Sequence, residues 1–204
     1  MIGPREQELK LSFASQRDFE FALAAELLGE RQSTHRLTNW YFDTPDGQLC
    51  GQRIMLRLRA APGFILGLKV GREVRAGYFD SLEIEQEIAA PLAQEILAQP
   101  SRVHRINSEV VRELQRRCGV LPLVSVGELH TERTKKLCGD VLLEFDRIVF
   151  PDGSEAFELE VETADVAVVE RWVQQALTSL GVEVQPQRRT KMERLIQWLE
   201  GRES

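Results

Sequence analysis

The sequence predicts an α+β fold in which a curved sheet turns its charged faces inward to line a channel and packs helices on its apolar outside. Three observations point there. Six segments alternate apolar and polar residues with period two, the repeat of a strand with two unlike faces. Their polar faces are almost wholly charged, with the signs segregated by strand. Between them lie segments with helical periodicity and capping signals, available to cover the apolar faces.

The first strand, 6–13, sets Leu9, Leu11 and Phe13 against Glu6, Glu8, Lys10 and Ser12. A helix is expected over 16–28, with Ser15 as N-cap, Asp18 three residues on and Gly29 as the stop. In 54–60, Ile54, Leu56, Leu58 and Ala60 oppose Met55, Arg57 and Arg59. Leu66, Leu68 and Val70 oppose Gly67 and Lys69, and Leu82, Ile84 and Ile88 oppose Glu83, Glu85 and Glu87. Helices are expected over 92–98 and 108–117. In 141–146, Val141, Leu143 and Phe145 oppose Glu144 and Asp146; in 157–162, Phe157, Leu159 and Val161 oppose Glu158, Glu160 and Glu162. Two further helices are expected over 166–180, between Asp165 and Gly181, and over 188–200.

Alternation by itself also describes a sheet with one face in water. Solvated faces, however, mix Thr, Ser, Gln and Lys, because like charges opposite one another repel. Here Glu158, Glu160 and Glu162 form one acidic row, Glu83, Glu85 and Glu87 another, and Arg57 with Arg59 a cationic counterpart. Such rows are costly without opposite charge, and burial raises the cost. A sheet closed with these faces inward makes a channel with acidic and basic walls. Its natural occupants are divalent cations and a polyanion, each compensating the other's wall. Helices on the apolar outside would reverse the usual arrangement of a small barrel.

Composition removes other classes. At 204 residues, 43% hydrophobic and 28% charged, the chain suits one soluble domain spanning 1–204. It has no apolar run of about 20 residues and no signal-peptide pattern, so a cytoplasmic protein without a membrane partner is expected. A net charge of −6 argues against nucleic acid as the partner. Three cysteines and three histidines are scattered, so a zinc site is not expected. A metal here would take oxygen ligands, which suits magnesium, manganese or calcium. No Walker A loop, GxGxxG or HExxH is present, so phosphate recognition would rest on side chains.

Glu6-x-Glu8-x-Lys10 resembles the ExExK signature of the CYTH superfamily, the triphosphate tunnel metalloenzymes. Leu37 to Pro45, with Tyr41-Phe42-Asp43-Thr44, resembles that family's second strand and its YFDT-type turn. Arg57-Leu58-Arg59 is similar to its paired arginines, Lys69 to its fourth-strand lysine and Glu83 to its fifth-strand acid. Arg133, Asp146, Glu158-Leu159-Glu160-Val161-Glu162 and Thr190-Lys191-Met192-Glu193-Arg194 match later elements in order. There are two departures. Ser81 stands where the fifth strand often has an arginine, so the acid lies between Glu83 and Glu85, with Arg72 or Arg75 supplying the charge. Around Arg133, Leu129 and Thr131 share its parity and blur the alternation.

The resemblance implies an eight-stranded antiparallel β-barrel tunnel and activity on triphosphates with Mg2+ or Mn2+. It is closest to bacterial inorganic triphosphatases, without the helical CHAD module many of them carry. It assigns metal binding to Glu6, Glu8, Asp146, Glu160 and Glu162, and substrate binding to Lys10, Arg57, Arg59, Lys69, Arg133, Lys191 and Arg194. Lys10, Glu160 and Glu162 form the expected catalytic set, with Glu83, Glu85, Glu144 and Glu158 as further candidates. The expected partner is a small triphosphate-containing molecule, and the expected state a monomer or homodimer. Alternatives are a class IV adenylyl cyclase, a thiamine or nucleoside triphosphatase, and a non-catalytic polyphosphate-binding module.

Overall fold

Closure of the sheet follows from the length and position of its first strand. The strands are β1 (Arg5–Phe13), β2 (Glu30–Asp43), β3 (Ile54–Ala60), β4 (Phe64–Arg75), β5 (Tyr78–Ile88), β6 (Val124–Cys138), β7 (Val141–Val149) and β8 (Glu155–Glu162). This computed structural model describes residues 5–75, 77–163 and 165–201. The sheet order is β5-β4-β3-β2-β6-β7-β8-β1, and β1 also pairs with β5. One edge of β1 runs antiparallel to β8 (Lys10↔Glu160), while its other edge takes β5 (Glu6↔Ser81). The result is a closed eight-stranded antiparallel barrel, which leaves no free edge among those strands. A short ninth strand, β9 (Val184–Pro186), adds to β1 beyond the end of β5.

Side-chain alternation then sorts the faces. Leu9, Leu11, Leu143, Phe145, Leu159 and Val161 point outward into one apolar layer. It is covered by α1 (Gln16–Ala24) and α5 (Val166–Ser179) through Phe19, Ala22, Val169, Val173 and Leu177. Leu56, Leu58, Leu66, Leu68 and Ile84 form a second layer under α3 (Ala90–Ala98) and α4 (Glu109–Cys118), with Leu49 from α2 (Gln48–Gly51). The helix expected over 16–28 is in fact α1 followed by a 3-10 turn, Glu26–Leu28. The break has a local cause: the Lys136 ammonium donates to the carbonyls of Leu23 and Ala25 at 2.9 and 2.7 Å, satisfying orphan acceptors at the helix end.

The last helix, α6 (Lys191–Glu200), does not lie on the outer face. Its buried Met192 and Leu195 pack on Tyr41, Leu129 and Ile148. Those three share parity with chamber-lining residues of their own strands, so α6 sits across one mouth of the barrel. Gly127 on β6 has φ 151°, and a Cβ there would come 3.3 Å from Leu195, so glycine permits the close approach. A capping box between Thr190 and Glu193 starts α6 at Lys191, three residues later than the helix expected over 188–200.

Trp40 and Phe42 of β2 join the second layer, but farther along β2 and β6 the outer wall is polar. Thr34 and Thr134 hydroxyls pair at 3.0 Å, Thr38 and His130 at 3.1 Å, and Arg36 with Glu132 at 3.3 Å. Among the described residues no helix is long and apolar enough to cross a membrane.

Leu195→Ala removes the centre of the α6 seat and is expected to cost about 2–5 kcal/mol in urea denaturation. Because α6 also carries Lys191, the same variant is expected to weaken binding of tripolyphosphate. Undiminished binding would show that the seat of α6 does not govern the chamber.

Candidate functional site

The inward faces converge on a chamber of about 260 Å³. Among the described residues, eight acidic side chains (Glu6, Glu8, Glu83, Glu85, Glu144, Asp146, Glu160, Glu162) and seven basic ones (Lys10, Arg57, Arg59, Lys69, Arg133, Lys135, Lys191) line it. Rows that would repel in isolation are neutralised across the barrel. Lys10 Nζ lies 2.6 Å from Glu160 and 3.1 Å from Glu8, joining the acids of two adjacent strands. Lys69 pairs with Glu6 and, at 2.5 Å, with Glu8. Arg57 reaches Glu83 at 3.1 Å and Glu85 at 2.8 Å, so both acids of β5 share one guanidinium. Arg133 spans Glu144, Asp146 and Glu160, the last two at 2.6 Å. Lys191 enters from α6 to meet Glu160 at 2.6 Å and Asp146 at 2.9 Å.

The expected residues therefore gather here, with two displaced. Glu158 and Arg194 lie outside the chamber lining, under α6, where they pair with each other. Gln187 also donates to Glu158, at 3.0 Å. Glu162 reaches the chamber but is exposed, opposite Glu8 in the β1–β8 register. Arg72 and Arg75 are exposed on β4 and are not among the lining residues. Ser81 instead donates to Glu6 at 3.3 Å. Alternation did not reveal Asn39, Tyr41, Thr131 and Lys135, which also line the chamber. The parity of the Tyr41-Phe42-Asp43 turn was the available signal for Asn39 and Tyr41.

The electrostatics are uneven along the chamber. Burial would raise Glu160, yet Lys10, Lys191 and Arg133 outweigh it and hold the carboxyl well below its usual range. Asp146 is lowered against burial by Arg133 and Lys191. Burial would also raise Glu83, but Arg57 and Lys69 bring it down to about 2. Glu6 behaves oppositely: burial and the neighbouring Glu8 charge raise it to about 9, against the pull of Lys69. At neutral pH Glu6 thus keeps its proton, leaving seven lining charges of each sign. Arg59 is lowered by burial and by repulsion from Arg57, with Glu85 only partly compensating. One part of the chamber is short of positive charge and another short of negative charge.

No three His, Cys, Asp or Glu side chains among the described residues form a ready-made metal cage. The donor set nonetheless fits a hard cation. Glu6, Glu8 and Glu160 offer only carboxylate oxygens, and Glu6 holds a proton where a cation would serve.

A second cavity of about 460 Å³ adjoins the chamber and shares Met55, Lys69 and Thr190 with it. Its wall is partly apolar, with Cys50, Met55, Phe79 and Met192, and partly polar, with Arg53, Asp80, Arg188 and Glu193.

The CYTH domain family matches residues 4–196. A candidate adenylyl cyclase from Hippeastrum, described as having a dominant triphosphatase activity, is similar at TM-score 0.85 and 24% identity, over 94% of this chain and 95% of its own. A candidate adenylate cyclase from Bacillus halodurans is similar at TM-score 0.74 and 24% identity, over 93% and 97% of the two chains. A protein of Pyrococcus horikoshii is similar at TM-score 0.59 and 19% identity, over 93% and 98%. At these identities the likenesses establish the shared fold. No curated protein matches the sequence.

A carboxyl raised in the folded state binds its proton more tightly than in the unfolded chain. Its stabilising contribution is complete below the ordinary value and is lost as pH rises from about 4.5 to about 9. In chelator, the melting temperature of the wild type is expected to fall relative to Glu6→Gln across that window. Parallel curves would show that Glu6 ionises normally.

Proposed function

The chain belongs to the CYTH domain family, and from that premise we propose that it is a metal-dependent phosphohydrolase of triphosphates, with inorganic triphosphate as its first substrate. The observation that carries the reading is the pair of unmet charge demands in one chamber: an acidic site at Glu6 and Glu8, and a cationic site at Arg59. A polyanion alone would upset a lining whose charges otherwise match. A polyanion accompanied by a divalent cation meets both demands.

In this reading Glu6, Glu8, Asp146, Glu160 and Glu162 hold Mg2+ or Mn2+. Such an ion, when bound, neutralises phosphate charge and acidifies water. Arg57 and Arg59 grip non-bridging oxygens through their planar forks. Lys69, Arg133 and Lys191 continue that cradle, each released from a carboxylate it now pairs with. Lys10, between Glu8 and Glu160, donates to the phosphate that changes hands. Arg194 contributes by holding Glu158 and the start of α6 in place. Attack of a water oxygen on the terminal phosphorus forms one P–O bond and breaks the bridging P–O bond. The products are orthophosphate and pyrophosphate. Transfer of this kind depends on positioning and electrostatics more than on a covalent intermediate.

The adjoining cavity favours a second reading, an organic triphosphate such as a thiamine or nucleoside triphosphate. Inorganic triphosphate has no apolar part to place against Met55, Phe79 and Met192. A cyclase would use the same cavity but let a ribose hydroxyl attack the α-phosphorus.

Phosphorus NMR of products from tripolyphosphate, thiamine triphosphate and ATP, with and without Mg2+ or Mn2+, separates these readings. Orthophosphate and pyrophosphate from tripolyphosphate are expected, only with metal. Cyclic AMP and pyrophosphate from ATP would establish the cyclase, and absence of turnover the binding module. Arg57→Ala is expected to raise KM by about 10- to 100-fold, whereas Glu160→Gln mainly lowers kcat. If both variants change the same constant, this division of roles is wrong. Met55→Ala is expected to lower kcat/KM for an organic triphosphate about tenfold relative to tripolyphosphate if the adjoining cavity holds the organic group.

A further inference from the structure

Two hydroxyls in the chamber wall have no hydrogen-bond partner among the described residues, Tyr41 Oη and Thr131 Oγ1. Both residues are buried, at 0% and 3% exposure, and both line the chamber. A hydroxyl left unpaired in a low dielectric destabilises a fold, and native proteins keep few of them without a reason. Packing does not supply one. The Tyr41 ring rests on Leu129, Met192 and Leu195, a place phenylalanine would fill equally well. Thr131 faces Leu37 across the β2–β6 ladder, where valine has the same shape.

The surroundings identify the missing partner. Burial raises the Tyr41 phenol, so it keeps its proton, while the charges of Arg57, Lys191, Arg59 and Lys10 pull the other way. Arginine and lysine carry donors and no acceptor, so none of the four can receive the phenol's proton. A donor that shares its chamber with these cations lacks an acceptor that they also attract, which is the oxygen of an anion. Thr131 lies two residues from Arg133 on the adjacent strand β6 and lines the same chamber. In the ring of strands β2 lies diametrically across from β1, so Tyr41 opposes the wall of Glu6, Glu8 and Lys10.

We propose that Tyr41 and Thr131 are substrate-contacting residues whose hydroxyls donate to non-bridging oxygens of the phosphate chain, gripping it from the wall opposite the carboxylates. This rests on the reading of the chamber as a triphosphate site but does not require that hydrolysis follow binding. Neutral donors suit this wall, because they add affinity for phosphate oxygens without adding charge to a lining already matched in sign. Ligand entry draws the arginines and lysines off their carboxylates and opens the two hydroxyls to the phosphate oxygens.

The test uses Tyr41→Phe, Thr131→Val and the double variant. Each removes a hydroxyl and keeps the shape of the side chain. Two quantities are read: the melting temperature without ligand, and the tripolyphosphate affinity with Mg2+ from the ligand-induced thermal shift. The expected result is an unchanged or higher melting temperature together with affinity about tenfold weaker for each variant. A lowered melting temperature would mean that the hydroxyl serves the fold, and unchanged affinity that it does not touch the ligand. Either overturns the proposal. If the wild type binds tripolyphosphate without turning it over and the variants bind more weakly, the hydrolytic reading fails and this inference stands. If the wild type does not bind tripolyphosphate, both fail.

Discussion

Neutralisation of carboxylates turned into a closed barrel is the constraint on which the rest of the structure depends. Burying a charge is tolerable only with a partner and hydrogen bonds, and even a well-made buried ion pair contributes little net stability. The chamber pairs, from Lys10 with Glu160 to Arg133 with Asp146, are therefore not what holds the barrel together. That work falls to the opposite faces of the same strands, where Leu9 and Leu11, or Leu159 and Val161, lie fully buried beneath helices. These strands divide their labour by parity: odd positions of β1 stabilise, and even positions prepare a site. A substitution on one face can then change binding with little change in folding, and the reverse.

The same division explains what was legible in the sequence. β1, β3, β4, β5, β7 and β8 declared themselves because an apolar face under helices alternates with a polar, mostly charged face in the chamber. β2 and β6 did not. Their outer wall changes character along its length, polar where Arg36 meets Glu132 and Thr38 meets His130, apolar at Trp40 and Phe42. Their inner wall mixes Leu37, Asn39 and Tyr41, or Leu129, Thr131 and Arg133, because part of it faces α6 and part faces the chamber. Periodicity vanishes where neither face is uniform, and only the order of family motifs placed these two strands. The choice between Glu83 and Glu85 was undecidable for another reason: both face inward, and one arginine serves both.

Helix α6 shows a limit of a different kind. Its spacing of apolar residues resembles that of any helix packed on the outside of a sheet, as α5 is. What distinguishes it is the partner, since Tyr41, Leu129 and Ile148 point into the barrel. No pattern within 191–200 records that, because the inside of a barrel exists only once β1 meets β5. Parity nonetheless put Glu158 on the right face. Its displacement from the chamber follows from the seat of α6, which carries Arg194 to it.

The seat of α6 therefore links packing to charge. Leu195 packs over Gly127, where a Cβ would stand 3.3 Å from its side chain, so glycine lets α6 sit close over the mouth. Lys191, at the first turn of the same helix, then reaches Glu160 at 2.6 Å and Asp146 at 2.9 Å. Raising the helix would withdraw a cation from two buried carboxylates at once and leave them to Arg133 and Lys10 alone. The apolar seat and the charged tip reinforce each other, so the mouth under α6 and the chamber lining form one cooperative unit. Cys50, Met55 and Thr190 stand at the border of that unit and the adjoining cavity. A group bound there would press on α6, on Lys191 through it, and so on the charge balance of the chamber.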